Sequence, residues 1–243
     1  MISIAKNNLK KSEILRYMGY PEGYHDRDID KLVEELIDKA LEKITPTFTY
    51  MILSPVREQN DKTISFGETD SIVLSGKSVY GHLNNSEKVV CFAATLGTQA
   101  ESHIKLQMYK EITSSIITDA IYNECIEAVC DKAECIIKSD TTLKGMYSTT
   151  RFSPGYGDLP LDVQPDIIRI LDAQRKIGLT CSGDNLLIPR KSVTAFIGFS
   201  KNKSVDVCEQ TCTLCTLKNN CKLRKDGKYC GYKNDNRTKN TDI

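Results

Sequence analysis

Ten residues in the middle of the chain, Arg151-Phe152-Ser153-Pro154-Gly155-Tyr156-Gly157-Asp158-Leu159-Pro160, constrain the fold more than any other stretch. Two glycines admit positive φ and let another group lie close against the backbone, while two prolines stiffen the flanks. The stretch therefore reads as a rigid, backbone-lined cradle with Arg151 at its entrance. A guanidinium is permanently charged and planar, and its fork matches a carboxylate or a phosphate. A plain turn has the same composition, so the residues alone leave both readings open.

A chain of 243 residues is long enough to bury a large core, as one domain or as one domain with an appendage. Lys and Arg number 33 against 32 Asp and Glu, so there is no basic footprint for nucleic acid or for a membrane surface. Small molecules and proteins are left as the expected partners. The opening Met1-Ile2-Ser3-Ile4-Ala5-Lys6 lacks the apolar region of a signal peptide, and no apolar run approaches membrane-spanning length. A cytoplasmic location is expected. In that reducing compartment the 10 cysteines are not expected to pair, so clustered ones suggest a metal and scattered ones a packed core.

Periodicity sets the element order. Ser12 reads as the cap of a short helix with Ile14, Leu15 and Met18 on its apolar side, stopped by Gly19. A second helix over 28–44 places Ile29, Leu32, Val33, Leu36, Ile37, Ala40, Leu41 and Ile44 at 3.6-residue spacing, and Pro46 ends it. Between them His25, next to Asp26, is a proton-transfer candidate or an ordinary surface pair. Short β-rich pieces at 48–53, 63–66 and 71–74 predict an antiparallel meander, with one helical turn over 78–83. Residues 88–95 read as a buried strand whose Leu96-Gly97-Thr98 turn enters a helix, an arrangement that can present amides to an anion.

Helical spacing resumes over 99–138, as two helices or one kinked helix, with Ile116, Ile117, Ala120, Ile121, Ile126, Val129, Cys130, Ala133 and Ile137 as the buried stripe. Asp119, Glu124 and Glu127 interrupt it. A strand over 145–150 delivers Arg151, and a helix follows Pro165 with Ile167, Ile168, Leu171 and Ile177 buried. Residues 179–182 and 191–199 read as strands, the latter turning Val193, Ala195 and Ile197 to one face. This mixed order is not a regular β-α repeat. It predicts an α+β fold with a twisted, mostly antiparallel sheet and flanking helices.

The last segment changes character, which divides the chain into a domain over 1–204 and a Cys-rich segment with a polar tail over 205–243. Cys208, Cys212, Cys215 and Cys221 bring four thiols together among Gln, Thr, Asn and Lys. Such a set can enclose one zinc ion or one iron-sulfur cluster, and the spacing does not choose between them. Cys230 is a substitute ligand, whereas Cys91, Cys125, Cys130, Cys135 and Cys181 lie among apolar residues and read as core. The Cys-x-x-x-Cys-x-x-Cys spacing also resembles that of radical S-adenosylmethionine enzymes, but the short polar tail beyond Cys221 cannot build the barrel those enzymes need.

Arg151-x-x-x-Gly155-Tyr156 followed by Asp158-Leu159-Pro160, a helix, and then Ile188-Pro189-Arg190-Lys191-Ser192-Val193-Thr194 resembles the activation domain of cobalamin-dependent methionine synthase. The stand-alone activation-subunit proteins of that family are closer still. The resemblance spans about residues 10 to 200 and is strongest over 91–97, 119–134 and 151–198. It implies that the loop holds S-adenosylmethionine through Arg151, Ser153, Gly155 and Tyr156. It also implies that Glu124 receives the ligand's ammonium group, with Asp119 as the rival carboxylate.

The same resemblance implies a partner that carries cobalamin, a methionine synthase or a related corrinoid protein. Flavodoxin or another low-potential donor would reduce cob(II), and methyl transfer from S-adenosylmethionine would trap the reduced form. Two family features have no counterpart here: an acidic residue near the domain's start and a late aromatic contact. Two rival readings are a reactivator for a different corrinoid methyltransferase and a noncatalytic metal-binding adaptor.

Overall fold

The computed structural model describes residues 2–58, 61–67 and 72–202. Helices α1 (Lys11–Tyr17) and α2 (Arg27–Leu41) precede four strands, β1 (Thr47–Leu53), β2 (Pro55–Glu58), β3 (Thr63–Phe66) and β4 (Ile72–Ser75). Helix α3 (Lys77–Leu83) leads to β5 (Lys88–Thr95), and α4 (Thr98–Lys110) and α5 (Ile112–Lys138) follow. The remaining elements are β6 (Tyr147–Ser148), α6 (Gln164–Leu171), α7 (Ala173–Ile177), β7 (Thr180–Cys181), β8 (Leu187–Ile188) and β9 (Ser192–Ser200).

The main sheet has the order β1-β5-β9-β6 and is antiparallel throughout. Strand β5 is central and buried on both faces, so its alternate residues belong to two separate cores. Val90, Phe92 and Ala94 join Ala195, Ile197 and Phe199 under α1, α2 and α5. Val89, Cys91 and Ala93 face the other way, with Phe196, the β2-β3-β4 meander, α3 and α6. Each large apolar side chain that is fully buried contributes about 1.5–3 kcal/mol, and Phe92 and Phe196 lie at 0% exposure on opposite faces of the same sheet. The architecture is thus the expected α+β one, antiparallel sheets with flanking helices.

Several local expectations are corrected. Lys10 is the N-cap residue of α1, without a side-chain cap, and Ser12 lies inside the first turn. Helix α2 begins at Arg27 because the Asp26 carboxylate accepts the Asp28 and Ile29 amides at 2.9 and 3.0 Å. This gives Asp26 a capping role, and leaves His25 on the surface, 4.0 Å from Asp30. The meander consists of β2, β3 and β4; β1 leaves it to pair with β5. Pro55 therefore starts a strand, the position where its missing amide is harmless.

Ile116 is 54% exposed, unlike the rest of the α5 stripe. The expected strand over 145–150 is paired as a strand only at Tyr147 and Ser148. Asp172, with φ of 51°, splits the helix after Pro165 into α6 and α7. The strand over 179–182 pairs with β8 in a small sheet of its own. Cys91, Cys125 and Cys130 are buried, whereas Cys135 is exposed and Cys181 only half-buried.

Candidate functional site

Positions 124, 127, 131 and 134 follow one face of α5 at three- and four-residue steps. Arg151 reaches this face from the loop that crosses it. Its Nη2 lies 2.9 Å from Glu127 Oε2 and 3.3 Å from Asp131 Oδ1, and its Nε lies 3.0 Å from Glu134 Oε1. Burial opposes the charge, but the Cys130 thiol and the three carboxylates outweigh it and raise the Arg151 pKa. Three carboxylates thus converge on one guanidinium. The third nitrogen, Nη1, is buried and meets no acceptor among the described residues.

Glu124 stands one turn before this group. It is 1% exposed, and its Oε1 accepts the Lys10 amide at 3.1 Å, which ties the start of α1 to α5. Tyr17, at the other end of α1, has its phenol pKa raised by burial and then by Glu127 and Glu124. The Arg16 guanidinium sits 4.5 Å over the Tyr17 ring. Helix α1 thus forms a second wall beside the acidic face.

The cradle loop is anchored at both ends. Phe152 exchanges two backbone hydrogen bonds of 2.9 Å with Phe196 of β9. Within the loop the Gly155 amide donates to Leu159 O at 2.8 Å and the Tyr156 amide to Ser153 O at 3.1 Å, so these two donors fold the loop on itself. Gly155 and Gly157 hold φ of 90° and 56°, where a side chain would be strained. A Cβ at Gly157 would also stand 2.7 Å from Ser78 Cβ. Tyr156 is 55% exposed, with its ring centroid 6.5 Å from that of Phe152.

Helix α3 is the loop's counterpart. It starts at Gly76, which has no side chain to cap it, and Asp158 supplies the cap from the loop. Its carboxylate accepts the Lys77 amide at 2.6 Å and the Ser78 amide at 3.0 Å. At the other end of α3, His82 Nε2 lies 2.8 Å from the Thr150 carbonyl, one residue before Arg151.

Lys191, the rival Asp119 and the turn after β5 form a neighbouring group. Lys191 Nζ, only 11% exposed, lies 2.8 Å from Asp119 Oδ1 and 2.7 Å from Asn123 Oδ1. Asp119 is therefore engaged in a different ion pair from the Arg151 cluster. The Gly97 amide donates to Thr95 Oγ1 at 3.1 Å, and the Ser192 hydroxyl lies 2.7 Å from the same atom. That amide, raised by the sequence as an anion donor, is used inside the protein.

Sequence reasoning placed Arg151 and Glu124 near each other. The structure gives the guanidinium partners at Glu127, Asp131 and Glu134, of which Asp131 and Glu134 were not singled out. Their signal was present as the spacing from 124 to 134. Asp158 and His82 were missed as well, and the hint for Asp158 was a helix that begins after a glycine. The candidate metal ligands Cys208, Cys212, Cys215 and Cys221 lie outside the described residues. Among the described residues no group of three or more His, Cys, Asp or Glu is arranged to hold a metal, and no helix is long and apolar enough to cross a membrane.

No known protein family matches the chain by sequence, and no curated protein does. Solved structures do match. The crystal structure of the MetH reactivation domain bound to AdoHcy superposes with a TM-score of 0.63 over 92% of this chain and 83% of that one, at 12% identity. The chain has the fold of that reactivation domain.

Proposed function

We propose that this protein is an S-adenosylmethionine-binding activation subunit that supports reductive methylation of a cobalamin-dependent methionine synthase. The observation that carries the reading is the Arg151 loop lying across the acidic face of α5, in a fold shared with a domain solved with AdoHcy bound. S-Adenosylmethionine carries a sulfonium, an ammonium and a carboxylate, a net charge of +1. A site that gathers several carboxylates around a guanidinium whose Nη1 meets no acceptor among the described residues fits both of its signs.

In this reading Glu124 receives the ammonium and Arg151 Nη1 the carboxylate. Ser153 and Gly155 line the remainder, and exposed Tyr156 covers it. When bound, S-adenosylmethionine supplies an already activated methyl group, and the partner's cobalamin is its acceptor. No acid or base is required of this chain. Its residues hold the donor in one orientation and leave the methyl uncovered, which removes the entropic cost of alignment from the transfer. The electron would come from flavodoxin or another low-potential donor, in the cytoplasm.

The domain over 1–204 would carry this activity. The cysteines at 208, 212, 215 and 221 would hold zinc or an iron-sulfur cluster, the latter able to relay the electron. A second reading is that the subunit serves another corrinoid methyltransferase, since Glu124 and Arg151 would recognise the donor and nothing about the acceptor. Titration calorimetry with S-adenosylmethionine tests the function. Binding by the wild type and its loss in Arg151→Ala are expected, while no heat in the wild type would refute the reading in favour of a noncatalytic adaptor. Reactivation of purified cob(II) methionine synthase then separates the two corrinoid readings.

A further inference from the structure

His82 is 94% removed from solvent on α3, yet it is satisfied at only one ring nitrogen. Its exposure is 6%; Nε2 lies 2.8 Å from Thr150 O, and buried Nδ1 has no partner among the described residues. A carbonyl only accepts, so the ring is the Nε2–H tautomer and Nδ1 carries the bare lone pair. The ring packs against Phe152, 5.0 Å between centroids and tilted by 44°. A phenylalanine would fill this site without an unpaired ring nitrogen, whose burial costs stability, and would leave the Thr150 carbonyl only the Thr149 hydroxyl, 3.0 Å away, as a donor. What the histidine adds is its hold on the backbone immediately before Arg151.

The same helix holds the far end of the loop through Asp158, so α3 spans the loop from Thr150 to Asp158. We propose that His82 is the positioning residue of the Arg151 loop: its Nε2–H fixes the Thr150 carbonyl, and uptake of a second proton at Nδ1 releases the loop. This rests on the function proposed above and adds a means of regulating that site. Protonation leaves Nε2–H on the Thr150 carbonyl but makes Nδ1–H a buried donor with no acceptor among the described residues, and opening of the contact between α3 and the loop is the proposed way for it to reach water. Neighbouring charged groups include Lys77 and Asp158 at the opposite end of α3, Arg151 beyond the held carbonyl, and Arg57, whose Nη2 donates to Ser86 O. None of them is hydrogen-bonded to the His82 ring among the described residues. Burial lowers the affinity of His82 for a proton, with the Thr150 bond acting against this.

The test uses the full chain with His82→Gln, which can place an amide N–H near the Nε2 position, and His82→Phe, which keeps the ring and removes the donor. Hydrogen–deuterium exchange of the peptide over 150–158 needs no ligand. It should rise in the wild type as the pH falls below that of an ordinary histidine, stay low in His82→Gln and be high in His82→Phe at every pH. S-Adenosylmethionine affinity should follow, about tenfold weaker in His82→Phe and rescued, without its acid sensitivity, in His82→Gln. Equal exchange in wild type and His82→Phe, or the same acid response in His82→Gln, overturns the proposal. Absence of ligand binding by the wild type at neutral pH overturns the function and leaves the exchange result to judge His82.

Discussion

The Asp158 carboxylate caps the Ser78 amide at 3.0 Å across 80 positions of sequence, so a loop residue completes a helix that cannot cap itself. An N-cap of this kind contributes about 1 kcal/mol, and Asp158→Ala should lower the urea midpoint by a corresponding amount. Gly157→Ala should cost more, since its φ of 56° and its 2.7 Å approach to Ser78 Cβ both oppose a methyl group. Equal midpoints for wild type and Gly157→Ala would show that the loop does not dock on α3.

Removing Arg151 leaves Glu127, Asp131 and Glu134 facing one another. Breaking such a partly buried group by deleting its cation costs about 3 kcal/mol. Thermal denaturation of Arg151→Ala should show a clear loss at low salt and partial recovery in 1 M salt, about the strength at which the screening length falls to ~3 Å. A loss unaffected by salt would mean that Arg151 acts through packing alone.

The described thiols should differ sharply in reactivity. Burial pushes Cys125 and Cys130 up to about 12, and raises Cys91 further. Only a thiolate is alkylated readily. Peptide mapping after iodoacetamide at pH 8 should find Cys135 modified in the native protein, with Cys91, Cys125 and Cys130 modified only in denaturant.

A buried network should make stability sensitive to acid. Tyr122 lies 2.6 Å from His103 Nδ1, and the Gln107 amide 3.1 Å from His103 Nε2. Burial lowers the His103 pKa below its ordinary 6.5, aided by Lys43, Lys110 and Lys39. A group whose folded pKa is depressed adds stability above its unfolded pKa and loses it as the pH falls toward the folded one. The urea midpoint should therefore be flat above pH 7 and decline below about 6.5, with a shallower decline in His103→Gln.

Helices with strong periodicity were legible because burial itself imposes the 3.6-residue repeat: the buried residues of α2, Val33, Leu36, Ile37 and Ala40, are among those the spacing named, while Ile29, Leu32 and Leu41 are only partly buried and Ile44 lies past the helix end at Leu41. Sheet membership was not, because β1 and β2 are separated by Ser54 alone and nothing local tells β1 to pair with β5, 35 or more residues away. The Arg151 loop announced itself through its glycines and prolines. Its partners showed only a shared helix face at 124, 127, 131 and 134, since a carboxylate on a helix looks the same in sequence whether it meets water or a guanidinium. His82 was silent for a related reason: its one hydrogen bond is to a backbone carbonyl, which every residue carries.

The two backbone hydrogen bonds between Phe152 and Phe196, with that of Thr149 to Gly198 O at 2.8 Å, have a consequence for solubility. Strand β6 is two residues long, so beyond it these bonds are what cover the outer side of β9. The loop that would grip a ligand is also the guard of an open sheet margin. Variants that loosen it should reveal themselves first as self-association through β9, with ligand protecting against precipitation before any change in overall unfolding is seen.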